Sequence, residues 1–270
     1  MLIVKEEIIK VLNDNQIQRM LVHSDLMHGF KIQFSNRIDY LKLQMIELNK
    51  FERELWMPAF NYDFCKGGDY SIVNSRSQVG ILSEHFRINN AFWRTNTPIF
   101  SISGNGEEPK LAENEIIDPF GKESSFEYLY INNGALMHYG STFSSSTILH
   151  YIERISGNLV YRYDKIFIGN VLTNDNLLNK KIVTYHVRPL NHYFEYNWVK
   201  LEKELIENDI LFEFQEDSTR ILVCNIRKLV DFWIEKLNVD SLYFLDEKTK
   251  KWVEPMLDKL GRKFLISDFE

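Results

Sequence analysis

Apolar residues first recur at helical spacing over Lys5 to Gln16, where Ile8, Ile9 and Leu12 share a side before the polar stop Asn13-Asp14-Asn15. The run Arg19-Met20-Leu21-Val22-His23 then predicts a short buried strand that ends at Ser24-Asp25, in a loop through Gly29. A second helix is predicted over about 35–51, with Ile38, Leu41, Met45 and Leu48 on one face. A strand Leu55-Trp56-Met57 follows and is halted by Pro58. The polar stretch 61–74 carries Gly67-Gly68 and reads as a long loop, a feature that in compact domains is usually functional. Residues 78–86 return to helix.

Downstream, the pattern predicts a strand at Ile99–Ile102, a polar stretch from Gly104 to Gly121, a helix over Ser125–Tyr130 and a strand over Ala135–Tyr139. Composition does not change across 104–121, so this stretch reads as a loop insertion within one domain spanning 1–270. In the hairpin region 157–190, Leu159–Tyr163 and Ile166–Gly169 read as paired strands, and Ile182–Val187 alternates like a half-exposed strand. Helices are predicted at 196–207, 226–237 and 250–260. The alternation of elements predicts an α/β fold: a three-layer α/β/α sandwich with a mixed sheet plus a small antiparallel β patch.

Composition narrows the function classes. A chain of 270 residues buries roughly three quarters of its unfolded surface, so no disulfide or metal staple is required. The 32 basic and 38 acidic residues give a net charge of −6, without the basic excess of a dedicated nucleic-acid binder. No apolar run approaches the length of a membrane span, and the N-terminus lacks a signal-peptide pattern, so a cytoplasmic location is expected. Cys65 and Cys224 offer no CxxC spacing, which suits a reducing compartment. Gly104-Asn105-Gly106 lacks dinucleotide-binding spacing, and GxSxG and HExxH are absent.

Candidate chemistry concentrates after the strand Ala135–Tyr139, where Gly140 leads into the Ser/Thr-rich run 141–147 and a helix. Free amides at such a helix start favour an anion or a developing oxyanion. Thr147, His150 and Glu153 follow at i, i+3 and i+6, presenting a hydroxyl, an imidazole and a carboxylate on one face. The imidazole can accept a proton near neutral pH, and a nearby carboxylate would orient it. The spacing alone favours a Ser144 helix cap followed by an ordinary surface pair. A zinc site has no third ligand at recognisable spacing, and Cys65 in its loop carries no partner pattern. His23, with Ser24 and Asp25, stands where α/β proteins place binding groups, or is simply a strand end meeting solvent. His85, His186 and His192 belong to no nameable constellation.

These residues, taken in order, resemble the aminoglycoside 3-N-acetyltransferase family. Leu21-Val-His-Ser-Asp-Leu26 to Gly29 is similar to its early VHxSL…G segment. Ser77-Gln-Val-Gly80, the helix Ser83–Arg87, and Arg94-Thr-Asn-Thr-Pro98 with Ser101 follow its G…R…RSxHPxxS…G pattern. Phe120-Gly121 to Ser124-Ser125 resembles its G-x-x-S-P stretch, Ser146–Glu153 its TxLHxxE signature, and Val183-Thr184-Tyr185 its VTY strand.

The resemblance implies acyl transfer to an amine from a coenzyme A thioester, acetyl-CoA or 3-hydroxybutyryl-CoA. His150 would be the base and Glu153 its partner. It implies Ser24, Asp25, Ser101 and Thr142 as cofactor-site residues and Arg94, Thr97 and Thr147 as acceptor-site residues, with no metal. Thr95 and Thr97 replace the family's serine and its histidine before Pro98, and Ser125 or Phe126 replaces a proline, so the acceptor pocket is altered. The acceptor expected here is a small molecule, the amino group of a dTDP-linked amino deoxysugar used for surface polysaccharide. The alternatives are an aminoglycoside and, in another class, non-catalytic sugar-nucleotide binding. Neither nucleic acid nor membrane is an expected partner; a homodimer is left open.

Overall fold

The computed structural model describes residues 2–27, 36–111, 114–173, 177–216 and 219–270; Gly29 and Ser35, named above, lie outside them. The first half runs α1 (Leu2–Asp14), β1 (Arg19–Ser24), α2 (Arg37–Asn49), β2 (Glu54–Pro58), β3 (Tyr70–Ser71), α3 (Ile81–Asn89), β4 (Trp93–Arg94), β5 (Ile102–Gly104) and β6 (Ile116–Ile117). The second half runs α4 (Ser125–Ile131), β7 (Ala135–Tyr139), α5 (Ile148–Ile155), β8 (Tyr163–Leu172), β9 (Leu178–Val187), α6 (Trp198–Glu207), β10 (Leu211–Glu216), β11 (Thr219–Asn225), α7 (Ile226–Val239) and α8 (Glu247–Leu260).

Among the described residues the main sheet has strand order β10-β11-β7-β1-β2-β5-β4. β1 runs parallel to both β2 and β7, while β11, β10, β5 and β4 join antiparallel. The central strands are buried on both faces, so they read as continuous apolar runs and alternate residues enter opposite layers. Met20, Val22, Leu55 and Met57 pack with α1, α2 and α3. Leu21, Trp56 and Leu136 pack with α4, α5, α6 and α7. This is the three-layer α/β/α arrangement with a mixed sheet. A third cluster joins α8 to Tyr161, Tyr163 and Phe194. No helix among the described residues is long and apolar enough to cross a membrane.

The small sheet, ordered β3-β8-β9-β6, holds the expected antiparallel patch in its β8–β9 pair, with strand bounds that differ from the expected ones. β8 and β9 pair antiparallel from Tyr163↔Val187 to Leu172↔Leu178, so the hairpin is not formed by Leu159–Tyr163 and Ile166–Gly169. Ile166 and Ile168 face solvent from the middle of β8 and blur its alternation. β3 and β6 come from the two polar loops and lie parallel to β8 and β9. In α2 the buried face is Tyr40, Leu41, Gln44, Met45 and Leu48, whereas Ile38 is 57% exposed.

β1, β2 and β7 all end at the same edge of the sheet. The chain leaves β1 toward β2 on one side, and β7 returns on the other, which is the switch point where open α/β sheets form a binding crevice.

Candidate active site

Glu153 lies in the hydrophobic-faced helix α5, where the three-residue spacing sets it one turn beyond His150. Its side chain is fully buried, and its two oxygens collect polar partners from four parts of the chain. Oε2 receives His150 Nδ1 at 3.0 Å and His186 Nε2 at 3.1 Å. Oε1 accepts the hydroxyls of Tyr161 at 2.9 Å and Tyr196 at 2.6 Å, and Arg162 Nε approaches Oε2 at 3.2 Å. Burial alone would raise this carboxyl, but the Arg162 charge and the two imidazole bonds outweigh it and hold the group well below the usual carboxylate range.

An ionised carboxylate only accepts, so the network assigns the donor hydrogen to His150 Nδ1 and leaves Nε2 with its lone pair. The His150 side chain is 27% exposed. Burial lowers its proton affinity, partly offset by the Glu153 bond, so the imidazole is neutral and basic near pH 7. Phe120 packs on the ring at 5.3 Å and His186 at 5.7 Å.

Two cavities are lined by segments that neighbour His150 in the chain or in contact. One of about 460 Å³ sits at the carboxyl edge of β1, β2 and β7, lined by His23, Ser24, Asp25, Thr142, Thr147 and the start of α3 at Gly80–Ser83. The other, about 810 Å³, is lined by Thr95–Thr97 and by the 104–121 loop, including Asp118, Pro119 and Gly121 on either side of Phe120. His150 itself lines neither: Thr147, one helical turn before it, lines the smaller cavity, and the residues on either side of Phe120, whose ring contacts His150, line the larger.

The turn between β7 and α5 is fixed from below. His138, fully buried in β7, shares hydrogen bonds with Ser141 at 3.1 Å, Ser145 at 3.2 Å and Ser146 at 2.9 Å, and stacks on His23 at 5.4 Å. Ser144 is not the helix cap; it lies in a 3₁₀ turn with its hydroxyl 2.8 Å from that of Thr142. Burial holds His23 down at about 4 and His138 well below its ordinary value, so both are neutral supports.

The sequence-derived residues therefore divide. Ser24, Asp25, Thr142 and Thr147 line the smaller cavity and Thr97 the larger, while His150 and Glu153 line neither. Ser101 and Arg94 lie elsewhere. Ser101 is fully buried and donates to the Ala59 carbonyl at 2.7 Å, and the Arg94 guanidinium is tied to Ser101 and to the carbonyls of Ala59, Ile72 and Ser75 over the Tyr70 ring. Neither lines either of these cavities, because their donors hold the 59–77 loop against the sheet. His186, Arg162, Tyr161 and Tyr196 were not legible as site residues, since strand register and loop return bring them to Glu153. His150, Glu153 and His186 also gather donor atoms within 4.8 Å, a geometry open to a metal. Arg162 already supplies the positive charge there, however, and the two nitrogens facing Glu153 carry the hydrogens.

The family description for aminoglycoside 3-N-acetyltransferase matches residues 47–238. No curated protein matches the chain. Among solved structures, AAC-IIIb as a binary with CoASH is similar at 13% identity and TM-score 0.68, covering 87% of this chain and 96% of its own. YokD from Bacillus subtilis is 17% identical with TM-score 0.62, covering 87% and 99%. Sisomicin-bound AAC-VIa is 12% identical with TM-score 0.63, covering 87% and 97%. At these identities the likeness is one of fold.

Proposed function

The chain belongs to the aminoglycoside 3-N-acetyltransferase family and is a CoA-dependent N-acyltransferase, and from that premise we propose that it acetylates an amine on an aminoglycoside-type sugar, with His150 as general base. The observation that carries this reading is the His150 ring: Nδ1 is held by a buried carboxylate, Nε2 is unprotonated, and the side chain keeps 27% of its surface exposed. The smaller cavity, at the sheet's switch point and lined by Ser24, Asp25 and Thr142, suits the thioester. The larger, with Thr97, suits the acceptor.

In the proposed step both substrates are bound together. The acceptor enters as a free amine, and His150 Nε2 takes one of its protons as nitrogen attacks the thioester carbonyl. The Leu149 and His150 amides at the start of α5 already bond the Ser146 and Thr147 carbonyls, so they do not serve the oxyanion. The C–S bond then breaks, and the imidazolium returns its proton to the leaving sulfur. Glu153 stabilises the imidazolium throughout.

The family match favours the aminoglycoside acceptor over the dTDP-linked amino sugar expected from the sequence. Charge around the larger cavity is balanced, Glu108, Asp118 and Glu123 against Lys110, Lys122 and Lys181, so it selects neither a polycation nor a sugar nucleotide. Purified protein with acetyl-CoA should release thiol with sisomicin or apramycin and not with dTDP-linked amino sugars. Thiol release confined to the nucleotide sugars would reverse the acceptor assignment. Release with neither, together with measurable binding, would point to a non-catalytic protein.

A further inference from the structure

Glu153 Oε2 is shared. His150 arrives from its own helix, and His186 arrives from β9, placed there by the pairing of Asp164 with His186 in the small sheet. A buried carboxylate oriented only for packing or for a single base needs no second imidazole on the same oxygen, since Arg162 and two tyrosines already satisfy it. The His186 side chain is 1% exposed, its Nδ1 is buried without a partner, and its ring contacts both His150 and Phe120. With Glu153 ionised, His186 donates from Nε2, and the cost of an unsatisfied Nδ1 is tolerated to keep that donor in place.

The geometry points to His186 as a positioning residue for acyl transfer: by donating to the oxygen that also holds His150, it fixes the carboxylate's orientation and limits how strongly that oxygen draws a proton onto the base. This deepens the reading of His150 as general base and rests on it. Removing one imidazole donor from Oε2 makes that oxygen a stronger acceptor toward the other, so losing His186 would make His150 harder to deprotonate. The other charged groups facing the pair act as a fixed background. Arg162 Nε stands 3.2 Å from the same Oε2 and 3.3 Å from Oε1, with Tyr161 and Tyr196 on Oε1, while Arg154 is neutralised by Asp118 and Asp164. His186 itself stays neutral in this role, since burial lowers it to about 4 despite its bond to Glu153.

The test is histidine-resolved NMR titration of the whole apo protein, alongside pH profiles of kcat/KM. In the wild type, ring nitrogen shifts should show His186 as the Nε2–H tautomer and His150 as the Nδ1–H tautomer; an Nδ1–H tautomer of His186 overturns the proposal without any variant. His186→Asn sets its amide at the Nδ1 position and deprives Oε2 of its donor, whereas His186→Gln returns an amide near Nε2. The expected result is that His186→Asn raises the His150 midpoint, and with it the acid limb of kcat/KM, by about one pH unit, and that His186→Gln restores most of it. A lowered melting temperature with an unmoved His150 midpoint assigns His186 a merely structural role. If His150 titrates as expected but His150→Ala keeps full turnover, the base assignment fails instead, and the NMR result for His186 stands by itself.

Discussion

At the scale of single residues, His150 and Glu153 carry separable roles. Replacing His150 with Ala removes proton acceptance and leaves both cavities intact, so kcat should fall by about 10²–10⁴ with little change in KM. Unchanged turnover would remove His150 from the mechanism. The wild-type acid limb of kcat/KM should lie below the ordinary histidine value of about 6.5, because burial favours the neutral ring and the base works only when deprotonated. Activity then holds above that midpoint and falls below it. Glu153→Ala is a different kind of change: it strands Arg162 as an unpaired buried charge and strips Tyr161, Tyr196 and His186 of their acceptor. A loss of about 3–5 kcal/mol in folding free energy is expected from chemical denaturation.

At the scale of elements, legibility followed period and locality. The pair at 150 and 153 could be read because both residues sit on one helix at a spacing that is fixed in advance. His186 could not, because only the register of β9 against β8 carries it to Glu153. β10 and β11 show the same limit: Ile221–Cys224 is a short apolar run without alternation, buried on both faces, and such runs do not announce their secondary structure. The loops at 61–74 and 104–121 were recognised as unusual, but each also contributes a two-residue strand too short for any pattern to show. Gly104 reads as part of a turn in the sequence and proves to be a strand residue of β5, paired with Trp56 on one side and Trp93 on the other. A methyl group there would meet the Trp93 indole at 2.1 Å. Gly104→Ala should therefore displace Trp93 from its edge contact with Trp56, costing about 1–3 kcal/mol, and a shift in tryptophan fluorescence with an unaltered melting temperature would contradict that.

At the scale of the whole molecule, buried neutral histidines set the acid limit of the fold. His23 and His186 are held at about 4 by burial, and His138 is likewise held well below its ordinary value. The unfolded chain takes up protons on these rings near 6.5, before the folded one can, so stability is full above that pH and declines as pH falls toward 4. Each of His23 and His186 contributes on the order of 3 kcal/mol to that decline. Equilibrium unfolding followed from pH 7 to pH 4 should show it well before the carboxylates titrate, and a stability curve flat to pH 5 would contradict it.

The order of the main sheet also has a meaning in time. β7 is in the middle of the sheet, yet the strand that covers its outer edge is β11, made some eighty residues later. During synthesis the growing chain carries this strand, Ala135-Leu-Met-His-Tyr139, with one edge uncovered through the period in which the β8–β9 hairpin and α6 emerge. Nascent chains arrested before Thr219 should therefore associate through that edge and depend on chaperones, whereas chains released after α7 should not.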